Sequence, residues 1–67
     1  MISVTVNGSP HEVPEATTIA GLLSRIGVDR TRIAVERNQN VVPRRDYDEV
    51  VLAAGDRVEI VSFVGGG

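Results

Sequence analysis

Apolar residues alternate with hydroxyl-bearing residues at the start of the chain. The apolar positions are Ile2, Val4 and Val6, separated by Ser3 and Thr5. This period of two is typical of a strand with one buried face. Asn7-Gly8 follows, the strongest short signal for a two-residue hairpin turn. We therefore expect a second strand over 9–13. Pro10 and Pro14 place it at a sheet edge, because proline donates no hydrogen bond to a ladder.

The spacing of apolar residues changes in the next segment. They recur at the i, i+3, i+4 and i+7 positions of one helix face, as Ile19, Leu22, Leu23 and Ile26. Thr17 or Thr18 can cap the start of this helix, and Gly27 supplies a left-handed residue at its end. A helix of two to three turns is too short to stand alone, so we expect it to pack on a sheet.

The second half of the chain predicts further short strands, over 32–37, 41–42 and 57–64. Asn38-Gln39-Asn40 predicts a tight turn, and Pro43 ends the strand that follows it. Residues 44–49 are charged and irregular, with room for one helical turn carrying Tyr47.

One helix and these strands predict an α+β fold, with the helix on one face of a mixed sheet of four or five strands. The first and last strands are the richest in inward apolar residues. They can be central, parallel neighbours, because the helix between them supplies a crossover. This is the β-grasp arrangement. We expect one domain over residues 1–64, followed by a flexible glycine tail over 65–67.

Composition narrows the possible functions. The chain has 67 residues, a net charge of −2, no cysteine and only 3% aromatic residues. Disulfides and thiol chemistry are excluded, and the low positive charge disfavours nucleic-acid binding. No apolar run is long enough to span a membrane, and no signal peptide opens the chain, so we expect a soluble, cytoplasmic protein. All seven basic residues are arginine. This reflects either codon usage or the need to avoid lysine amines, which could react with the C-terminal carboxylate if it were chemically activated.

The final glycines, Gly65 to Gly67, have two interpretations. They bury nothing and lose the most conformational entropy when ordered. They are either a disordered end or a working end that carries its α-carboxylate into a narrow active site. Fully extended, three residues reach about 10 Å, at roughly 3.3 Å per residue.

Other polar residues predict no site. His11 stands alone, without a second ligand at a metal-binding spacing, so we expect it on the surface. The acidic residues Asp46, Asp48 and Glu49 lack the spacing and glycine of a calcium loop and are expected to form a solvated face.

Three segments resemble a known family. Residues 34–44, AVERNQNVVPR, resemble the apolar strand, polar turn and (I/V)VPR stretch of the ThiS family of β-grasp sulfur carriers. These carriers are relatives of the molybdopterin-synthase small subunit and ubiquitin. Residues 54–60, AGDRVEI, are shared across β-grasp carriers, and 63–67, FVGGG, close the match. The resemblance covers the whole chain without insertion. The family needs two terminal glycines, so Gly65 belongs either to the tail or to the strand end.

The resemblance implies a carrier for thiamin thiazole synthesis, a cosubstrate of partner enzymes rather than an enzyme. A ThiF-like adenylating enzyme would use MgATP to convert the carboxylate of Gly67 to an acyl-adenylate. Sulfur from a persulfide donor would then leave a thiocarboxylate, and a ThiG-like thiazole synthase would take the sulfur. Gly66, which has no side chain, would let the tail enter the narrow active sites of these enzymes. The chain itself is expected to bind no cofactor, metal, nucleic acid or membrane.

The last strand predicts a partner surface next to the tail. Val61 and Phe63 share the outward face of this strand with Arg57 and Glu59, and Gly65 follows shortly after in the sequence. The side chains of Val61 and Phe63 either bind a partner or cover each other. Arg44 and Arg45 form a second candidate surface. Three other functions remain open: a molybdopterin-synthase small subunit, a carrier of sulfur for cysteine synthesis, and a ubiquitin-like modifier or interaction module.

Overall fold

The computed structural model describes residues 1–63; Val64 and the predicted tail, 65–67, lie outside the described residues. The predicted boundary between domain and tail therefore stays a prediction. The elements are strands β1 (Ile2–Val6), β2 (Ser9–Val13), β3 (Ile33–Arg37), β4 (Asn40–Val42) and β5 (Arg57–Ser62), helix α1 (Ile19–Ile26), and 3₁₀ turns at Arg30–Arg32 and Arg44–Asp46.

The five strands form one mixed sheet in the order β2-β1-β5-β3-β4. The central strands β1 and β5 are parallel, and every other neighbouring pair is antiparallel. The expectation of an α+β, β-grasp fold is confirmed, including the parallel pairing of the first and last strands. The edge position predicted for β2 is confirmed as well.

Both hairpins close through two residues with positive φ. Asn7 and Gly8 have φ of 49° and 86°, and Asn38 and Gln39 have φ of 53° and 72°. Asparagine and glycine tolerate this left-handed region, and the resulting turns match the twist of the strands. The second turn is one residue shorter than predicted, because Asn40 already pairs with Arg37 in the β3–β4 ladder.

Helix α1 begins and ends as the sequence predicts. The Thr18 hydroxyl accepts a hydrogen bond from the Gly21 N–H at 3.1 Å, and Gly27, with a φ of 87°, donates its N–H to the Leu23 carbonyl. The predicted stripe packs inward, with Ile19, Leu22 and Leu23 buried and Ile26 partly buried. Within residues 1–63, no helix has the length and apolar character needed to cross a membrane.

Two features between the helix and the last strand differ from the sequence prediction. Arg32 lies in a 3₁₀ turn rather than in β3, because the Asp29 carboxylate accepts the Thr31 N–H at 2.9 Å and caps that turn. Tyr47, placed by the sequence in an irregular segment, is 2% exposed and joins the aliphatic core. The Arg30 guanidinium lies 5.4 Å from the centre of the Tyr47 ring and covers it.

Asp56 is the one buried charged residue among those described, and it joins three strands at the start of β5. Its carboxylate accepts hydrogen bonds from the Arg37 side chain and the Ala53 N–H, both at 2.8 Å, and from the Asn38 amide at 3.1 Å. Its carbonyl accepts the Thr5 N–H of β1 at 3.0 Å. One residue therefore ties β1 and the β3–β4 turn to the base of β5.

Hydrogen bonding sets the charge state of Asp56. Burial by itself raises the pKa of this carboxyl, but the hydrogen bonds from Ala53, Arg37 and Asn38 stabilise the carboxylate more strongly. The pKa of Asp56 consequently lies below its ordinary value of 3.8. Asp56 is therefore a stabilising anion at neutral pH.

We expect Asp56→Asn to lower the free energy of unfolding by about 2–3 kcal/mol at neutral pH, because it leaves Arg37 without its buried anion. The matched control is Asp48→Asn, which removes an exposed ion pair to Arg30 at 3.3 Å and should change stability by less than about 0.5 kcal/mol. Urea unfolding measures both, and equal losses would contradict the assignment.

The same variant has a pH signature. A lowered native pKa contributes stability that is present above the unfolded-state pKa of about 4 and is lost as the pH falls through the native pKa. The difference in unfolding free energy between the wild type and Asp56→Asn should therefore shrink from about pH 5 towards about pH 2. A difference that stays constant over this range would show that the charge of Asp56 is not what stabilises the fold.

Candidate functional site

The predicted reactive residues Gly65, Gly66 and Gly67 lie outside the described residues, so their roles stay predictions. The last described residues make a defined backbone contact. Strand β5 ends at Ser62, and the Phe63 N–H donates to the Arg32 carbonyl at 2.9 Å. The backbone is thus held against the turn before β3 up to Phe63.

The predicted partner residues lie on the face of β5 opposite the core. Val58 is buried, whereas Arg57, Glu59 and Val61 alternate with it and are exposed. Val61 is 54% exposed and Phe63 is 55% exposed. Both side chains therefore present more than half of their surface to solvent. Whether they bind a partner stays a prediction.

The neighbouring strands extend this surface. Val61 pairs with Ala34, Glu59 pairs with Glu36, and Glu36 pairs with Val41 in turn. Two carboxylates thus face each other directly across β3 and β5, an arrangement that is unfavourable for the fold itself. Neither takes part in an ion pair among residues 1–63. Val41 is 69% exposed. We call the surface formed by Glu36, Val41, Glu59, Val61 and Phe63 the outer patch.

The arginines have different surroundings. The Arg57 backbone is held by Asn38, whose side-chain oxygen accepts the Arg57 N–H at 2.9 Å, while the Arg57 side chain is exposed at the edge of the outer patch. Arg44 donates to the Thr31 carbonyl at 3.4 Å, which gives it a structural contact. Arg45 keeps 85% of its side chain exposed.

Asn7 is a residue of this site that sequence reasoning assigned only to a turn. Its side-chain oxygen accepts the Ile60 N–H at 2.8 Å, and its side-chain nitrogen donates to the Ile60 carbonyl at 3.2 Å. The Asn7 amide therefore binds the backbone of β5 at Ile60, two residues before Ser62. The Asn-Gly pair signals a turn, but nothing in the sequence points to a contact with a residue 53 positions away.

The described residues form no metal-binding cluster. No group of three or more His, Asp or Glu side chains among them could hold a metal ion. His11 is partly buried on the edge strand β2. What the described arrangement can do is present an exposed, partly apolar surface that ends directly before residue 64 in the sequence.

Comparison with known proteins finds one matching family model and several similar proteins. A family model described as the ThiS family matches residues 4–67. The crystal structure of the thiamine biosynthesis protein ThiS from Geobacter metallireducens aligns with a TM-score of 0.84 and 36% identity, covering 98% of this chain and 100% of that one. The sulfur carrier protein ThiS of Bacillus subtilis is 42% identical over 50 residues, 75% of this chain and 76% of that protein.

Longer proteins also contain a region similar to this chain. The thiazole synthase of Magnetococcus marinus is 44% identical over 66 residues, and that of Paramagnetospirillum magneticum is 39% identical over 66 residues. These matches cover 98% of this chain but 20% of each synthase, so the chain spans about a fifth of the length of these relatives.

We expect Asn7→Gly to loosen β5 without disturbing the hairpin, because glycine keeps the left-handed turn but removes both side-chain hydrogen bonds to Ile60. The loss should be about 1 kcal/mol in the free energy of unfolding. Hydrogen exchange at the Ile60 amide should accelerate more than exchange at Val35, the buried centre of β3. Equal acceleration at the two amides would show that Asn7 acts on global stability alone.

Proposed function

The chain belongs to the ThiS family, and we propose that it is a sulfur carrier for the synthesis of the thiamin thiazole. The observation that supports this most directly is the family match, which runs from Val4 in β1 to Gly67. The similarity to ThiS proteins of Geobacter metallireducens and Bacillus subtilis supports the same function. On this proposal the chain is a cosubstrate of its partner enzymes.

The proposed chemistry takes place at the carboxylate of Gly67. An α-carboxylate has a pKa of about 3.5, so it is ionised at neutral pH and is a poor acyl donor. A ThiF-like adenylating enzyme with MgATP would couple it to the α-phosphate and release pyrophosphate. The terminal sulfur of a persulfide donor would then displace AMP, and a thiol would reduce the resulting acyl disulfide to the thiocarboxylate.

The proposed receiver of the sulfur is a thiazole synthase. Two proteins of that name contain a region similar to this chain, which supports a working relationship between carrier and synthase. Gly65 and Gly66 would supply narrow, side-chain-free backbone that lets Gly67 reach either active site.

The outer patch is the surface proposed to hold a partner while the tail reacts. Three of its members are apolar and exposed, and its two glutamates form no ion pair within residues 1–63. Apolar residues rimmed by charge are the usual composition of a binding surface. The outer patch includes Phe63, four residues before Gly67 in the sequence, which supports a role in holding a partner while Gly67 reacts.

The carrier function predicts a mass change. Co-expression with a ThiF-like adenylating enzyme and a sulfur donor should add about 16 Da to the intact chain, as oxygen is exchanged for sulfur in a covalently activated intermediate. A chain that ends at Gly66 is the control and should be activated poorly while keeping its fold. A chain without the added mass, or ladders of conjugates on lysines of other proteins, would contradict the carrier function. If the chain captured a molybdopterin-synthase large subunit in place of thiazole synthase, it would be assigned as the small subunit of molybdopterin synthase instead.

We expect Phe63→Asp to raise the KM for activation by the adenylating enzyme by about tenfold, because it places a charge in the apolar part of the outer patch. The melting temperature should fall by less than about 3 °C, since Phe63 is exposed. Val51→Asp is the matched control, because Val51 is 50% exposed but bridges to Thr18, away from the outer patch. A large loss of melting temperature with an unchanged KM would assign Phe63 to the core.

A further inference from the structure

Strand β5 runs past the end of its parallel neighbour β1. The two strands pair at Thr5 with Arg57 and at Val6 with Val58, and β1 then turns away at Asn7. Strand β5 continues to Ser62. Beyond Ile60, the described chain therefore places no strand on the β1 side of β5.

The backbone of Ser62 faces this opening. Because the Phe63 N–H donates to the Arg32 carbonyl, the pair of Ser62 and Ile33 is a non-hydrogen-bonded pair of the β3–β5 ladder. The N–H and C=O of Ser62 consequently point away from β3, toward the side that β1 has left. Neither group has a backbone partner in residues 1–63.

Asn7 shows what kind of group the opening accepts. Its side-chain amide binds both the N–H and the C=O of Ile60, at 2.8 Å and 3.2 Å. A peptide group of a neighbouring strand would make the same two bonds. The next position along the same edge, at Ser62, is therefore arranged for the peptide group of an added strand.

The two outer edges of the sheet are poor sites for strand addition. Strand β2 carries Pro10, which offers no N–H, and Pro14 follows it directly. Strand β4 has three residues and is followed by Pro43. Among the strand edges described, the opening at Ser62 thus lacks such protection.

We propose that an extended segment of the ThiF-like adenylating enzyme adds to this opening as a strand, pairing its backbone with Ser62; this rests on the proposed function. Strand addition gives affinity through main-chain hydrogen bonds, independently of side chains. The adenylating enzyme is the fitting occupant. In the two longer thiazole synthases the region similar to this chain is part of the synthase chain itself, so there proximity to the synthase comes from the linkage, and a docking strand on the carrier body is needed only for a separate enzyme. A separate enzyme has to recognise the body of the carrier, and an added strand would hold it at Ser62, five residues before Gly67 in the sequence.

Hydrogen exchange tests the proposal directly. The Ser62 amide should exchange rapidly in the free protein and at least about tenfold more slowly in complex with the adenylating enzyme, measured without ATP so that no chemistry intervenes. The Val58 amide, inside the β1–β5 pairing, is the internal reference for global protection. Unchanged exchange at Ser62 in a saturated complex would overturn the proposal.

Substitution separates the backbone from the side chain. Ser62→Pro removes an N–H that serves no ladder bond, and it should raise the KM for activation by about tenfold relative to Ser62→Ala, which keeps the N–H. The control is Glu12→Pro. Glu12 lies two residues after Pro10 on the edge strand β2 and pairs with Ser3. Its N–H therefore points away from β1, as the nitrogen of Pro10 does, and serves no ladder bond. Equal KM values for Ser62→Pro and Ser62→Ala, or an equal rise in Glu12→Pro, would overturn strand addition at this edge.

The outcomes distinguish the two proposals. If the wild-type chain gains the thiocarboxylate mass but Ser62 is unprotected in the complex, the sulfur-carrier function holds and strand addition is wrong. If the wild type gains no such mass, the proposed function fails and this inference fails with it. Protection of Ser62 by self-association, visible as concentration dependence in the free protein, would assign the opening to a second copy and also overturn the proposal.

Discussion

The parallel contact between β1 and β5 is the interaction on which the rest of the structure depends. It joins the two ends of the chain through two residue pairs, Thr5 with Arg57 and Val6 with Val58. Everything between them, including the helix and the β3–β4 hairpin, lies within the loop that this contact closes. Closing so long a loop carries an entropic penalty before any contact rewards it. The ladder itself is too short to offset that penalty through backbone bonds alone.

Polar side chains strengthen this contact at both ends. At the base of β5, the Asp56 carbonyl accepts a hydrogen bond from the Thr5 N–H, and its carboxylate accepts hydrogen bonds from the side chains of Arg37 and Asn38. At the other end, Asn7 extends the pairing of β1 through its amide to Ile60. The aliphatic core beneath supplies the non-directional driving force. The two polar residues set the register, because each is satisfied in one alignment of the strands only.

The pattern of apolar residues was enough to predict most of this fold. Alternation in β1, the helix stripe ending at Gly27 and the two turns fixed the elements, since each depends on neighbours within a few residues. The sequence predicts only a turn at Asn7 and no role for Asp56, because their decisive partners lie 53 and 19 positions away along the chain. Tyr47 was placed in an irregular segment, since burial of a residue in a loop depends on what folds over it. The exposed positions of Val61 and Phe63 agree with strand alternation, and the opening beside Ser62 became visible only once the strands were paired.

The distribution of burial explains how one small domain can serve both stability and recognition. The last buried residue of the described chain is Val58, and the partly buried Ile60 is the last to pack against the core. From Val61 to Phe63, every described residue is exposed. Substitution in this stretch therefore changes the stability of the fold little, so its sequence is open to selection by partners instead. Such a division would suit the proposed carrier function, because the exposed surface before residue 64 can be matched to an enzyme without disturbing the core.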